Sequence, residues 1–430
     1  MDELGVGTFI DRRYVIRREI SRGGMCVVYC AQHRLTGRQV ALKMLLPEQQ
    51  DDEASRRRLV REARAMELSR SKHVVEILDA GEHDDGSPYL VMEMLEGKTL
   101  EGVLAARQRI PVDNAVAIGL HVCRALSQAH ARGVVHRDIK PGNIMFARSP
   151  EGETVAKLID FGISAIVEAG DDATGAMTPS AKITRAGEFF GTPEYVAPES
   201  LHQVGLVDPR GDLYSLAVTL FECLVGMVPY SGSFGEVLIK AFTSTPPDAK
   251  ALRSDIPHQL ADLIRRGMAV QPADRFENAE AMHRALERVL TEKEDPARGS
   301  MPPTLRPPAL DASPGSEAPV GVEQRRRHAR APFVTPVRIS LADGSLAHGK
   351  SVDVSEGGLL VVTDSAITDG SSTRVRFMSP LSGKVLEVRA TTRWVKAARG
   401  RAAVGFEFVE LPEPSRLEIA EYVALTARGD

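Results

Sequence analysis

Side chains that could handle phosphate groups and metal ions occur in three short segments of the chain. Lys43 ends the segment VALK, Asp138 and Asn143 lie in HRDIKPGN, and Asp160 begins DFG. A lysine can pair with phosphate oxygens, and a carboxylate can accept the proton of a hydroxyl group. Aspartate and asparagine oxygens are ligands that Mg²⁺ prefers. Together these residue types could position a magnesium-bound nucleotide beside a hydroxyl substrate.

A glycine-containing segment, EISRGGMCVVYCA at 19–31, could cover the phosphates. A loop of the pattern G-x-G-x-x-G-x-V lets backbone N–H groups approach phosphates without interference from Cβ atoms. Here Gly23 keeps the central glycine and Gly24 follows it, whereas Ser21 and Cys26 replace the outer two. If those two positions need φ > 0, each replacement costs on the order of 1 kcal/mol of strain. The sequence therefore predicts a weakened but working loop, in which Cys26→Gly would tighten nucleotide binding.

The four cysteines limit the classes of protein that fit. They are scattered, with no C-x-x-C pair, which argues against a disulfide framework or a zinc site and suits a reducing cytosol. Cys26 could also act as a redox brake if oxidation blocked the phosphate site. A tolerated small residue is the favoured alternative, because no neighbouring base would lower its pKa.

Composition and charge describe an ordinary globular protein. The hydrophobic fraction is 43%, and the net charge of −4 does not favour nucleic acid or an anionic membrane as a partner. We find no signal peptide in the sequence, and the longest apolar run, at 213–230, predicts a buried helix rather than a membrane span. These features predict a cytoplasmic protein without a direct membrane span.

The elements that must position the reactive side chains follow from the hydrophobic pattern. Strand signals dominate up to residue 94, with one helix predicted over 51–70. From about Leu100 the pattern is mostly helical. Seven of the 26 prolines then lie at 296–319, which predicts an extended linker. A strand-rich segment and a helix over 414–427 follow. We place the domains at 10–290 and 322–428, with a linker at 291–321.

The order of the motifs resembles the bacterial eukaryotic-like (Hanks-type) serine/threonine protein kinases. The glycine loop, VALK, HRDIKPGN, DFG and APE at 197–199 occur in the order typical of that family. The resemblance implies an α+β bilobal protein-kinase fold with a β-rich N-lobe and an α-helical C-lobe. It also implies ATP and Mg²⁺ as cofactors and proteins with serine or threonine as substrates.

The resemblance assigns a role to each matching residue. Asp138 would be the catalytic base, Lys140 would contact the γ phosphate, and Glu62 would hold Lys43 through an ion pair. Asn143 and Asp160 would hold the metal, and Thr192 would face the substrate. Nucleotide contacts would come from the loop, the following strands, the gatekeeper Met92 and the hinge that follows it: Ser21, Gly23, Gly24, Cys26, Val28, Ala41, Lys43, Met92, Glu93 and Leu95.

Other motif residues suit architecture better than chemistry. Glu199 and Arg275 would form a buried ion pair, and Asp212 would support the catalytic loop from inside. His136 and Phe161 would pack in the core.

The segment between Asp160 and Glu199 offers candidate phosphosites. Among its hydroxyl residues Thr184 ranks first because it lies nearest the Gly191–Thr192 loop; the others are Thr174, Thr178 and Ser180. Arg137 could anchor such a phosphate. A homodimer could carry out autophosphorylation in trans.

The C-terminal segment resembles a PilZ domain, a small β-barrel with a terminal helix. Arg325, Arg326 and Arg330 form R-R-x-x-x-R, and Asp353, Ser355 and Gly358 form D-x-S-x-x-G. In that family these motifs bind cyclic di-GMP. Arginine suits this ligand because it can stack on purines and bind phosphates in a bidentate manner. A solvated basic patch, a nucleic-acid contact and a docking module without ligand are the alternatives.

Two functions remain open at this point. The chain could be an active serine/threonine kinase regulated by cyclic di-GMP. It could instead be a pseudokinase scaffold in which the PilZ-like domain senses the messenger or docks a protein. The altered glycine loop favours the scaffold, and the complete set of charged catalytic residues favours the kinase.

Overall fold

A computed structural model describes residues 5–148, 152–161, 165–166, 192–201, 208–232, 234–291, 330–333, 335–341, 345–363, 365, 367–368, 370–398 and 401–427. The candidate residues Gly162, Thr174, Thr178, Ser180, Thr184, Gly191, Arg325 and Arg326 lie outside these described residues.

The N-lobe is a six-stranded antiparallel sheet with one helix packed against it. Its elements are β1 Phe9–Ile10, β2 Tyr14–Arg22, β3 Cys26–His33, β4 Gln39–Leu45, α1 Glu53–Leu68, β5 Ile77–Glu82 and β6 Pro88–Glu93. The strand order is β1-β2-β3-β4-β6-β5. Asp52 caps α1, since its carboxylate accepts hydrogen bonds from Ala54 N and Ser55 N. This cap starts the helix that carries Glu62 toward the sheet.

The C-lobe is mostly helical. Its elements are α2 Leu100–Arg107, α3 Val112–Ala131, β7 Val134–Val135, β8 Ile144–Arg148, β9 Thr154–Leu158, β10 Ala165–Ile166, α4 Arg210–Val225, α5 Phe234–Thr243, α6 Ala249–Leu252, α7 His258–Gly267 and α8 Ala279–Thr291. Helix α4 is buried around most of its circumference, which confirms the buried helix predicted at 213–230. Among the described residues, we find no helix with the length and apolar character needed to cross a membrane.

The last unit is a closed six-stranded barrel. Its elements are β11 Ala331–Pro332, β12 Pro336–Ser340, β13 Leu346–Ser355, β14 Gly358–Thr363, β15 Ser372–Met378, β16 Val385–Ala398, β17 Arg401–Glu410 and α9 Glu413–Ala427. The order β13-β12-β15-β16-β17-β14 closes because β14 also pairs with β13. Helix α9 covers the barrel core through Ile419 and Tyr422, and the Tyr422 ring meets Phe333 edge-on.

Two stacked histidines, the buried His73 and the partly buried His121, join the lobes. The rings of His73 and His121 stack with centroids 4.3 Å apart. His73 Nδ1 lies 3.1 Å from Ala156 O, and Ala156 N donates to His121 Nδ1 at 3.1 Å. Burial lowers the pKa of His73 to about 4 and that of His121 to about 3. Both rings are therefore neutral in the folded protein at neutral pH.

We expect these histidines to make the fold less stable as the pH falls below about 6.5, the pKa of an unfolded histidine. In that range the unfolded chain binds protons that the folded chain excludes, so each ring removes about 1.4 kcal/mol of unfolding free energy per pH unit. His121→Phe keeps a stacking ring but removes one titrating group. Urea unfolding at pH 7.5 and 5.5 should show a shallower decline for this variant than for the wild type. Parallel declines would contradict the assignment.

Candidate active site

The lysine of β4 and the glutamate of α1 form a buried ion pair. Lys43 Nζ donates to Glu62 Oε1 at 2.6 Å, and Asp160 Oδ1 lies 3.4 Å from the same nitrogen. Burial acts to lower the pKa of Lys43, but the carboxylates of Asp160 and Glu62 outweigh it and raise that pKa. Lys43 is therefore a fixed cation, and α1 already occupies the position in which this pair can form.

The catalytic-loop side chains meet at one carboxylate. Asp138 Oδ2 accepts from Lys140 Nζ at 2.9 Å and from Asn143 Nδ2 at 2.9 Å. Asn143 Nδ2 also donates to Asp138 O at 2.8 Å. Asp138, Lys140 and Asn143, which lie within six consecutive positions of one motif, therefore form one hydrogen-bonded network. Lys140 and the Asn143 amide both orient the Asp138 carboxylate.

A buried carboxylate holds this loop from behind. Asp212 is 0% exposed and accepts hydrogen bonds from His136 N at 2.9 Å and Arg137 N at 2.7 Å. Arg137 adopts φ +67°, a left-handed backbone that a residue with a side chain rarely adopts. His130 Nε2 lies 2.8 Å from the same Asp212 carboxylate. The predicted supporting role of Asp212 is confirmed, and His130 joins it as a partner that the motif pattern did not indicate.

The two predicted metal ligands lie on neighbouring parts of one hairpin. Asn143 directly precedes β8, and Asp160 follows β9, which pairs with β8. Ile159 N donates to Asn143 O at 3.1 Å and so ties the two segments together. Because Asn143 Nδ2 is directed at Asp138, its Oδ1 is the atom available for a cation. The hard oxygen atoms of this pair suit Mg²⁺.

The glycine loop differs from the sequence expectation. Ser21 pairs with Val28 across β2 and β3, and Gly23 N donates to Cys26 O at 2.9 Å. None of Ser21, Gly23, Gly24 and Cys26 has a positive φ. The expectation of backbone strain at Ser21 and Cys26 is therefore wrong, because ordinary strand pairing sets the backbone dihedral angles of both residues. The basis for expecting tighter nucleotide binding in Cys26→Gly is removed with it.

Cys26 belongs to the hydrophobic core of the N-lobe. It is 8% exposed and packs in a cluster with Leu45, Leu59 and Leu90. Burial raises the pKa of the Cys26 thiol to about 11, although the Lys43 ammonium opposes this change. The thiol is neutral at physiological pH, which favours the tolerated small residue over the redox brake.

We expect Cys26 to react slowly with iodoacetamide at pH 7.5. A thiol pKa near 11 leaves a thiolate fraction about 300-fold below that of an ordinary cysteine. Site-resolved mass spectrometry can follow Cys26 in the folded chain, with the same chain in urea as the control. Labelling of the folded chain as fast as in urea would restore the redox interpretation.

The segment predicted as the hinge is anchored through a side chain. Glu93 Oε1 accepts from Glu76 N at 2.9 Å and also from Lys157 Nζ. Met92 is buried and lies opposite Ala41 in the pairing of β4 with β6. Since the Glu93 carboxylate is occupied, a hydrogen bond from Glu93 to adenine would have to come from its backbone. Lys157 was not predicted, because nothing in the sequence brings β9 next to the end of β6.

A second buried ion pair supports the C-lobe. Arg275 donates to both carboxylate oxygens of Glu199 at 2.6 Å, and its guanidinium lies over the Tyr214 ring at 4.9 Å. The predicted Glu199–Arg275 pair is therefore present. His136 and Phe161 are buried against each other, with ring centroids 4.4 Å apart, as predicted.

The barrel brings part of the second predicted site together. Arg330 precedes β11, which pairs with β13 so that Pro332 lies opposite Asp353. Arg330 Nη1 donates to Asp353 Oδ1 at 2.5 Å. Ser355 and Gly358 have structural roles of their own. Ser355 Oγ donates to Gly358 O at 3.3 Å, and a Cβ atom at Gly358 would clash with Phe406 O of β17.

Comparison with known families agrees with this geometry. Residues 14–286 match the model of the protein kinase domain. The chain belongs to the protein kinase family. Residues 324–425 match the model of the PilZ domain. These two matches confirm the resemblances that the motifs indicated.

Two similar proteins come from bacteria. A protein of Clostridium perfringens named as a probable serine/threonine-protein kinase is 34% identical over 292 residues, which span 68% of this chain and 40% of that protein. The serine/threonine-protein kinase PknH of Mycobacterium tuberculosis is 36% identical over 307 residues, 70% of this chain and 46% of its own. The chain thus spans less than half the length of these two relatives.

A solved structure shows the same kinase fold. The PknI kinase domain of Mycobacterium tuberculosis aligns with a TM-score of 0.50 and 29% identity, over 66% of this chain and 99% of that domain. The bilobal architecture expected from the sequence is therefore confirmed.

Proposed function

We propose that this chain is an ATP- and Mg²⁺-dependent serine/threonine protein kinase. The observation that carries the proposal is the assembled set of charged groups, with Lys43 on Glu62 and Asp138 held by Lys140 and Asn143. A scaffold would have no need to keep a proton acceptor between a lysine and an amide. The altered glycine loop does not oppose activity, because Ser21 and Cys26 carry no backbone strain.

The geometry gives each residue a part in phosphoryl transfer. Bound Mg-ATP supplies the phosphoryl group and the cation that neutralises its charge. Lys43 would pair with the phosphates while Glu62 keeps it in place. Asp138 Oδ2 would orient the substrate hydroxyl and accept its proton, and Lys140 would stabilise charge on the transferred group. The hydroxyl oxygen thereby forms a new bond to the γ phosphorus, and the bond from that phosphorus to the departing ADP breaks.

We further propose that cyclic di-GMP binds the barrel and regulates the kinase. The match to the PilZ model and the contact between Arg330 and Asp353 support this site, for which Arg325, Arg326, Ser355 and Gly358 are the other candidates. Arginine and aspartate together can bind a phosphate and a guanine edge. The Arg330–Asp353 pair would have to open or turn outward to admit the ligand.

Calorimetry on the full chain tests the regulatory site. Cyclic di-GMP should bind the wild type, and Arg330→Ala should bind it about 10- to 100-fold more weakly, because hydrogen bonds to charged groups contribute about 1.5–3 kcal/mol. Arg338→Ala, at an exposed position on β12, is the matched control and should bind like the wild type. If the wild type gives no heat at high micromolar ligand, the regulatory proposal is wrong.

Several narrower predictions remain predictions. Thr184 and Thr178 as phosphosites can be checked by mass spectrometry after incubation with Mg-ATP. Autophosphorylation within a homodimer can be checked by the dependence of its rate on protein concentration. The domain limits 10–290 and 322–428 and the cytoplasmic location also stay predictions.

A further inference from the structure

The outer surface of the barrel carries an apolar patch that its own core does not use. The patch consists of Val352 on β13, Leu360 and Val362 on β14, and Ala403 on β17, all of which are at most 4% exposed. The alternate β14 residues Leu359 and Val361 belong to the barrel core instead. Since a barrel interior takes only every second residue of a strand, something outside must cover this barrel patch.

The covering element belongs to the kinase C-lobe. Leu238 and Ile239 of α5, together with Val196, pack in one cluster with the barrel patch. Leu238 is only 1% exposed. Trp394 of β16 is partly buried at the edge of the same cluster. The barrel and the kinase C-lobe therefore share a small hydrophobic core built around α5.

The start of α5 lies directly against the candidate ligand site. A Cβ atom at Gly235 would clash with Asp353 Oδ2 and would lie 3.3 Å from Asp353 Cγ and 3.1 Å from Leu360 Cδ2. Asp353 is 5% exposed, with Arg330 on one oxygen and α5 against the other. The absence of a side chain at residue 235 is what allows this close approach.

We propose that docking of the barrel on α5 and binding of a guanine nucleotide at Asp353 exclude each other. This inference rests on the proposed cyclic di-GMP site and adds how that site would communicate with the kinase. A guanine edge that donates hydrogen bonds to the Asp353 carboxylate must occupy space that Gly235 now fills. The ligand therefore selects the undocked form, and undocking uncovers the surface around Val196, four residues after Thr192.

Gly235→Ala tests the docking contact in the full chain. Alanine has a higher helix propensity than glycine, so the substitution should not destabilise α5 itself. The added methyl group should nevertheless weaken docking, because it meets Asp353 and Leu360. Gly102→Ala in α2 is the matched control: its Cβ would lie 3.4 Å from Thr99 Oγ1, an ordinary contact. Leu238→Glu is a second variant that places a charge against the barrel patch.

Trp394 reports docking, because it is the single tryptophan of the chain and lies at the interface. Gly235→Ala and Leu238→Glu should shift its emission to the red and increase its quenching by acrylamide, whereas Gly102→Ala should not. Calorimetry with cyclic di-GMP should show tighter binding to both interface variants. For a docking equilibrium near 10:1, the expected gain in affinity is about tenfold.

The outcomes separate this inference from the proposed function. If all variants bind cyclic di-GMP with the wild-type affinity, the exclusion is wrong and the ligand site stands. If the Trp394 signal changes but affinity is unchanged or weaker, docking is real and the exclusion is wrong. If neither the wild type nor any variant binds the nucleotide, the proposed ligand site is wrong, and the proposed exclusion is wrong as well.

Discussion

Replacing Asp138 by asparagine should lower the rate of phosphoryl transfer by about 10²–10⁴-fold, the usual contribution of a positioned general base. The asparagine side chain can still contact Lys140 and Asn143, but it cannot take the proton of the substrate hydroxyl. Asp138 contacts Lys140 and Asn143, whereas Lys43, the residue expected to pair with the ATP phosphates, contacts Glu62 and Asp160. The affinity for ATP should therefore change by no more than about threefold.

Transfer of labelled phosphate from Mg-ATP to the chain and to a generic basic protein measures this effect. Asp262→Asn is the control, because Asp262 is an exposed partner of Arg265 on the C-lobe surface. A loss of less than tenfold in Asp138→Asn would show that Asp138 is not the base. A wild-type chain that binds ATP but transfers no phosphate would be the pseudokinase scaffold, and the search for function would move to the barrel.

Replacing Glu199 by glutamine should destabilise the C-lobe by about 3–5 kcal/mol, the usual cost of leaving one member of a buried ion pair alone. Arg275 is 2% exposed and cannot turn to water. It keeps acceptors at Ala269 O, Arg210 O and Val270 O, which places the expected loss toward the lower end of that range.

Urea unfolding followed by circular dichroism at the helical band measures this loss. The double variant Glu199→Leu with Arg275→Met should recover much of the stability, because it removes both charges instead of one. Asp262→Asn again serves as control and should cost less than about 1 kcal/mol, as exposed ion pairs do. A single variant as stable as this control would mean that the buried pair contributes little to the fold.

The reactive residue types and most of their supporting helices could be read from the sequence. The helices predicted over 51–70 and 414–427 agree within two residues with α1 and α9, and the mostly helical pattern from about Leu100 agrees with the helices of the C-lobe. This agreement has a physical cause, because the spacing of apolar residues along a helix records which face is buried. The short helix α6 and the short strands β7 and β10 were not predicted, since two to four residues carry no period.

Contacts between distant residues were decided by tertiary structure. Lys43 and Asp160 are 117 positions apart and meet only because β4 and the end of β9 face the same cleft. The backbone at Ser21 likewise follows from the pairing of β2 with β3, and that at Cys26 from the pairing of β3 with β4, which a motif comparison cannot supply. The sequence identified which side chains could act, and the packing of the two lobes determined their partners.

The barrel shows most clearly the difference between what the sequence indicates and what the tertiary structure decides. The run Leu359–Leu360–Val361–Val362 by itself indicates a strand buried on both faces, because an exposed face would alternate with polar residues. It does not say what covers the outer face, since hydrophobic burial is non-directional and any apolar surface of the right shape would serve. Only the tertiary structure places α5 there, with Gly235 small enough to let the helix reach Asp353.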